Sequence, residues 1–297
     1  PCYNALGKTY GSGQPEVERE FSLGSEWLYY KFYCGQKVAD RVLVDLIRPL
    51  TEELLASGLV DKWFFIRYAD PDNHIRLRLH LPAVQRIGDI VHLVNRYVQP
   101  YVRNGSIWKT QIDTYRRELE RYGTRTMALS ESLFFESSRA VLDMLADPVG
   151  DTATLWAWGL HQIDELLEAF GCSLTEKTTL LYSLKESFGR EFGMNKGLKL
   201  QLDAKYRSFR TVIQQVLRQQ HLSPASNQRV RSIAQQINRF GQAGALDVER
   251  ANLLSSYIHM LLNRLIPVDA RLHEMVLYDF LHRHYQSQQA LQKSVAV

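Results

Sequence analysis

The stretch Trp63-Phe-Phe-Ile-Arg67-Tyr-Ala-Asp70-Pro-Asp-Asn73-His74-Ile-Arg76-Leu-Arg78-Leu-His80-Leu81 decides how this chain is read. It is two strand-like runs joined by Asp70-Pro-Asp-Asn73, where Pro presets φ and Asx side chains bond their own backbone. The second run alternates with period two. Ile75, Leu77, Leu79 and Leu81 point one way; His74, Arg76, Arg78 and His80 point the other. One face therefore packs on a core while the other carries two arginines and two histidines. Taken alone, this is an ordinary hairpin with a basic, solvated face. The rest of the chain changes that meaning.

Working outward, Trp27 to Cys34 is an aromatic, β-prone run that reads as the first strand. Residues 36–57 switch to helical spacing, with Ala39, Leu43, Leu46, Ile47, Leu50 and Leu54 on one side, and Pro49 predicts a kink or break. Residues 83–102 repeat the pattern through Val84, Ile87, Val91, Val94, Val98 and Tyr101. Trp108, Thr110, Ile112 and Thr114 then alternate as a fourth strand. Strand, helix, strand, strand, helix, strand is the split βαβ, ferredoxin-like βαββαβ order. One face of such a sheet lies under its two helices and the other is open. Residues 74–81 are its third strand, which is central. After Gly123 the spacing is helical throughout, at about 128–146, 151–170, 174–190, 196–220, 225–243, 247–266 and 269–288. Breaks fall at Pro148-Val-Gly150, Gly171, Ser223-Pro224 and Gly241. The fold class is α+β, with the open sheet face packed against a C-terminal helical layer; a separate bundle is the other arrangement this pattern allows. The organisation reads as a linker or terminal extension at 1–25, a sheet subdomain at 26–123, a helical subdomain at 124–290 and a tail at 291–297.

At 297 residues and net charge +4 the chain has ample material for a core and no polyelectrolyte character. Cys2, Cys34 and Cys172 are scattered and odd in number, which reads as reduced thiols rather than a disulfide frame or zinc site. No apolar run approaches a membrane span and no signal segment leads the chain, so a cytoplasmic location is expected. A start at Pro1 reads as a processed chain or a piece of a longer one. Gly7-Lys8-Thr9 looks like the end of a phosphate-binding loop, but the upstream glycine and preceding strand are missing.

Two arginines in mid-sheet are costly unless an anion or carboxylates compensate them. Asp113, Glu118 and Glu120 stand near enough in sequence to do so, so both readings stay open. Arg121 lies at the exit of the fourth strand, in Tyr115-Arg-Arg-Glu-Leu-Glu-Arg121-Tyr-Gly123. Ser255, His259 and Asn263 form a polar stripe on an otherwise apolar helix. A lone histidine there is either a hydrogen-bonded core residue or a proton carrier. Arg264 is about 140° round that helix from His259 and needs its full reach to join it. His282-Arg-His284 reads as surface. The sequence holds no His-Glu-x-x-His, Gly-x-Ser-x-Gly or Gly-x-Gly-x-x-Gly motif. Arginines with a histidine suit the stabilisation of a developing oxyanion or departing carboxylate while the imidazole moves a proton.

The segments Gly24-Ser-Glu-Trp-Leu-Tyr-Tyr30, Phe64-Phe-Ile-Arg-Tyr-Ala-Asp-Pro71, His74-Ile-Arg-Leu-Arg78, Glu118-Leu-Glu-Arg-Tyr-Gly123 and His259-Met-Leu-Leu-Asn-Arg-Leu265 together resemble the C-terminal glutamate-elimination domain of class I lanthipeptide dehydratases. They are also similar to stand-alone elimination proteins of thiopeptide pathways. The resemblance covers nearly all of residues 20–290. It implies catalytic roles for Arg78, Arg121 and His259, with Arg76, Arg67, Asn263 and Arg264 binding substrate. Relatives often carry a second histidine where this chain has Leu261. The implied reaction is β-elimination of glutamate from glutamylated Ser or Thr of a precursor peptide, giving dehydroalanine or dehydrobutyrine. The implied partners are that peptide, a tRNA-dependent glutamylation domain or protein in cis or trans, and a downstream cyclase. Neither a cofactor nor direct nucleic-acid contact is expected. The alternatives are the related pyridine-forming cycloaddition enzymes, and a leader-peptide or RNA binding module without catalysis.

Overall fold

The computed structural model describes residues 17–147, 152–218 and 224–295. Its strands are β1 (Glu20–Phe21), β2 (Trp27–Cys34), β3 (Lys62–Ala69), β4 (Asn73–His80), β5 (Ile107–Asp113) and β6 (Tyr115–Arg116). Four of them form one antiparallel sheet in the spatial order β3-β4-β2-β5, so the arginine strand β4 is central. β1 and β6 pair separately. The alternation of β4 does what its sequence predicts. Ile75, Leu77 and Leu79 are buried in a core shared with α1 (Gln36–Val42), α2 (Arg48–Ala56) and α3 (Ile87–Arg103). The break expected at Pro49 is a wide five-residue turn, Leu43–Ile47, between α1 and α2. Pro has no N–H to donate and its ring displaces the preceding turn, so the helix widens there rather than stopping.

The second half is helical, through α4 (Leu119–Tyr122), α5 (Met127–Ala146), α6 (Thr152–Ala169), α7 (Leu174–Glu191), α8 (Lys196–Arg218), α9 (Pro224–Gln242), α10 (Arg250–Leu265) and α11 (Ala270–Val295). It meets the sheet chiefly along β3. An edge strand leaves a row of backbone groups unpaired, and α5 and α10 close this one. Phe65 N donates to Ser138 Oγ at 3.2 Å, and Arg264 Nε donates to Phe65 O at 2.9 Å. Asn263 grips one residue twice, its Oδ1 accepting from Arg67 N at 3.1 Å and its Nδ2 donating to Arg67 O at 3.0 Å. The open face is covered only at one end, where Tyr115 and Phe134 pack on Trp27 and Phe64. At the other end Tyr68 is 41 % exposed. The helices are thus less a layer over the face than a buttress along its edge.

Three expectations need correcting. Part of the supposed linker is folded, because Glu20–Phe21 pairs with Tyr115–Arg116 and Phe21 is buried against the Tyr115 ring. The supposed tail continues α11 as far as Val295, since Ala290-Leu-Gln-Lys293 favours helix. His282 and His284 are buried, not surface, on a helix whose neighbours leave little of it in water. Cys2, Gly7-Lys8-Thr9, Pro148-Val-Gly150 and Ser223 lie outside the described residues.

Two outcomes follow from this packing. Asn263→Leu should lower unfolding free energy by about 1–3 kcal/mol, because it strands two buried backbone groups; a urea midpoint unchanged from wild type would contradict the clamp. Burial also pulls His74, His273, His282 and His284 below the usual 6.5. Unfolded chain then takes up protons first on acidification, so this stability is present above 6.5 and is lost as pH falls below it. Urea midpoints should therefore fall between about pH 7.5 and about pH 5.5, and the His282→Gln, His284→Gln pair should flatten that slope.

Candidate active site

Antiparallel pairing sets the floor of the site. Residues opposite one another across strands point to the same face, and Arg78 is paired with Tyr29 on one side and Phe64 on the other. Its guanidinium carbon stands 4.7 Å from the Tyr29 ring, 5.2 Å from Phe64 and 4.8 Å from Tyr115. Tyr115 is held in place from behind. Its hydroxyl donates to Glu131 Oε1 at 3.0 Å, and the fully buried Glu131 carboxylate is clamped by Arg117 through two bonds of 2.7 Å. Arg78 is 8 % exposed, its Nε has no hydrogen-bond partner, and no carboxylate forms an ion pair with it among the described residues. Burial holds this guanidinium below its ordinary value, and the neighbouring charge of Arg76 adds to that.

Arg76 lies on the next rung, paired with Lys31 and Ile66. Its guanidinium stacks on Tyr68 with 3.4 Å to the ring centroid, and its Nε donates to His74 Nε2 at 3.0 Å. That bond, with Nδ1 of His74 at 2.8 Å from Asp72 O, fixes the neutral tautomer with the proton on Nδ1. Burial and the Arg76 charge both push this imidazole down.

The carboxylates that might have neutralised the face are engaged elsewhere. Asp113 holds Lys31, Glu120 holds Arg19, and Glu118 pairs with Arg121 at 3.1 Å. Arg121 is half-exposed on α4, beside Tyr122, whose hydroxyl burial pushes up to about 12. Glu118 also exerts its charge on Arg78, so Arg78, Glu118 and Arg121 belong to one neighbourhood. Gly123 ends α4 at φ +74°, where a Cβ would press into Asp247 and approach Thr126 Oγ1 to 2.8 Å. That contact explains the glycine after Arg121-Tyr122.

The other residues predicted from sequence are placed differently. Arg67 is paired with Ile75 and so points to the opposite face; its Nη2 donates to Asp40 at 2.6 Å and its Nε to Arg264 O at 2.8 Å. Asn263 is consumed by the backbone of Arg67. Arg264 is buried, bonded to Phe65 O and Met260 O, and burial pushes it down to about 9. These three hold the fold together. His259 bonds Glu274 on α11, with Nδ1 at 3.0 Å from Oε1. No hydrogen bond or ion pair among the described residues joins it to Arg76, Arg78 or Arg121. The α10 side chain whose charge reaches Arg78 is Arg264. Sequence reasoning missed Tyr29, Tyr115 and Glu274. The first was available from strand register, since Tyr29 shares the parity of Trp27 and Lys31.

Comparison with known proteins fits this arrangement. Subtilin biosynthesis protein SpaB of Bacillus subtilis is 28% identical over 207 residues, covering 68% of this chain and 19% of SpaB. The crystal structure of the tRNA dependent lantibiotic dehydratase MibB from Microbispora sp. 107891 superposes with a TM-score of 0.68 at 20% identity, over 95% of this chain and 29% of MibB. The pyridine synthase TbtD, from thiomuracin biosynthesis, superposes with a TM-score of 0.67 at 14% identity, over 89% of this chain and 98% of TbtD. The chain thus spans less than a third of SpaB and of MibB, and it shares the fold of MibB and TbtD. The family described as lantibiotic biosynthesis dehydratase C-term matches residues 27–285, and the chain belongs to that family.

Proposed function

We propose that this chain is a carbon–oxygen lyase that eliminates glutamate from glutamylated Ser or Thr of a ribosomal precursor peptide. One observation carries the reading: a buried arginine, Arg78, with no carboxylate of its own on a face whose acids are all engaged. A desolvated, unpaired guanidinium is an anion site held ready. In this reading, loss of the α-proton puts negative charge on the adjacent carbonyl oxygen, the Cβ–O bond breaks, and glutamate leaves as a carboxylate. Arg78 and Arg76 face the charge that develops, and Arg121 binds at the rim. With Nδ1–H donating to Glu274, His259 keeps Nε2 as its proton acceptor. Among the described residues no bond ties it to the arginines, so in this reading the substrate spans from one to the other.

The strand order and antiparallel pairing support a ferredoxin-like arrangement for the sheet half. A tRNA-dependent glutamylating domain or protein, in cis or in trans, would supply the ester. Among the described residues no helix is long and apolar enough to cross a membrane, which is compatible with work in the cytoplasm. Cycloaddition is the second reading, supported by the superposition on the pyridine synthase TbtD over 98% of its length.

A glutamylated model peptide should emerge one water lighter than the unmodified peptide; an untouched ester, under conditions where an eliminating relative processes it, sinks the proposal. Arg78→Met should lower that rate by about 100-fold or more. The same substitution should leave stability level or raise it by about 1–4 kcal/mol, because it removes an unpaired buried charge. A large loss of stability would instead make Arg78 a structural residue.

A further inference from the structure

Outside this site, positive charge is concentrated on one pair of helices. α8 and α9 carry nine Lys and Arg against a single acid, Asp203, although the whole chain has a net charge of only +4. The rest of the chain is therefore net acidic. On α8 the cations are also ordered. At 100° per residue, Lys196, Lys199, Arg207, Arg210 and Arg218 fall within an arc of about 100°, and at 1.5 Å per residue the stripe runs for about 33 Å. All five are exposed, and among the described residues none forms an ion pair with a carboxylate.

An ordinary solvated helix face mixes the two signs, so that neighbours three or four apart attract. Here Lys196 and Lys199, and again Arg207 and Arg210, stand three apart and repel. Asp203, the one acid within the arc, is drawn off by Arg283 of α11 at 2.7 Å. Arg283 also holds Asp279 at 2.7 Å, and Asp279 meets Lys185 of α7 at 2.8 Å. These pairs line a groove between α7 and α8, where Arg190 and Lys199 are left with one further acid, Glu186. Further along α8, the charge of Arg218 reaches His284 of α11.

The side chains that accompany the stripe decide what it fits. A protein interface is organised around buried aromatic and aliphatic anchors, and the arc offers one exposed large apolar side chain, Leu200. A membrane surface asks for several apolar side chains to insert beside the cations. Single strands are held by stacking their bases on aromatic rings, but the aromatic residues of α8, Tyr206 and Phe209, turn inward and pack on Phe280. A duplex needs none of these. Its bases are already stacked, and cations alone bind its phosphates, with counterion release supplying the free energy. We infer that this face of α8 binds the phosphate backbone of a double-helical nucleic acid. On this inference the expectation of no direct nucleic-acid contact is reversed, because a net charge of +4 conceals how unevenly the cations are placed. The surface does not depend on the elimination proposed above.

The test is fluorescence anisotropy of the whole chain with a labelled RNA duplex of about 20 base pairs, and with a DNA duplex of the same sequence, between about 50 and about 300 mM KCl. Saturable binding with a dissociation constant of about 10 μM or tighter is expected at the low-salt end, weakening with a log–log slope of about −3 to −5 as about five cations displace counterions. Lys199→Gln, Arg207→Gln and Arg210→Gln together should weaken binding at least about tenfold and flatten that slope by about three. Should the triple variant misfold, Arg210→Gln alone should flatten it by about one. Lys37→Gln, Arg86→Gln and Arg103→Gln remove as many exposed cations from other elements and should leave the dissociation constant within about twofold. Either duplex supports the surface, and the tighter one identifies RNA or DNA as the partner. No saturable binding, a slope shallower than about −2, or an equal loss in the control variant overturns it. So does tighter binding of single-stranded RNA, of poly-glutamate or of vesicles with anionic headgroups. Elimination without duplex binding removes this surface alone, whereas duplex binding without elimination removes the elimination alone.

Discussion

The open edge of β3 is the constraint on which the rest of this structure depends. A four-stranded sheet that ended at Lys62–Ala69 would present unpaired N–H and C=O groups to whatever packed beside it. An α-helix has no free backbone donors along its side, so closure has to come from side chains. Asn263 is suited to this because one amide offers a donor and an acceptor side by side, matching the N–H and C=O of Arg67. Arg264 and Ser138 complete the edge at Phe65. The bonds between Asn263 and Arg67 link residues 196 positions apart, so the two halves of the chain are fixed in register by groups that have few other ways to be satisfied.

Closure of the edge also settles the electrostatics of the face. Arg67, Arg76 and Arg78 lie on neighbouring strands, yet strand parity sends the first to Asp40 on the helix-covered side and the other two to the open side. Among the described residues, Lys31 takes the one carboxylate that the strands of this face supply, Asp113. Cation–π contact with three rings returns about 0.5–2 kcal/mol each to Arg78, whereas taking a cation out of water costs several kcal/mol. Packing alone gives little reason to keep a guanidinium there. The anion-binding role proposed above would supply that reason.

Much of this was legible in the sequence, and the limits have physical causes. Period-two alternation over 74–81 and helical spacing after Gly123 located nearly every element, because burial acts directly on periodicity. The two arginines on one face followed from the same rule. Their lack of carboxylate partners among the described residues did not, because Asp113, Glu118 and Glu120 are all close in sequence and only tertiary structure assigns them to Lys31, Arg121 and Arg19. Assigning Arg67, Asn263 and Arg264 to substrate mistook polarity for availability, since these groups serve the edge strand. His282 and His284 read as polar surface for the same reason, although imidazole is readily buried in its neutral form.

The two faces of α10 hold different side chains, and that division bears on the chemistry we propose. Successive residues turn by 100°, so Leu261 is about 160° from His259 and only about 60° from Arg264. Leu261 and Arg264 line a cavity toward α5, while His259 faces Glu274 on α11. A histidine at position 261 would therefore sit with Arg264, on the side of the helix whose charge reaches Arg78. With leucine there, that side offers no imidazole, and Arg264 Nη2 stays buried without a hydrogen-bond partner among the described residues. In the elimination we propose, the proton carrier is therefore a histidine that faces α11, across the helix from the side whose charge reaches Arg78.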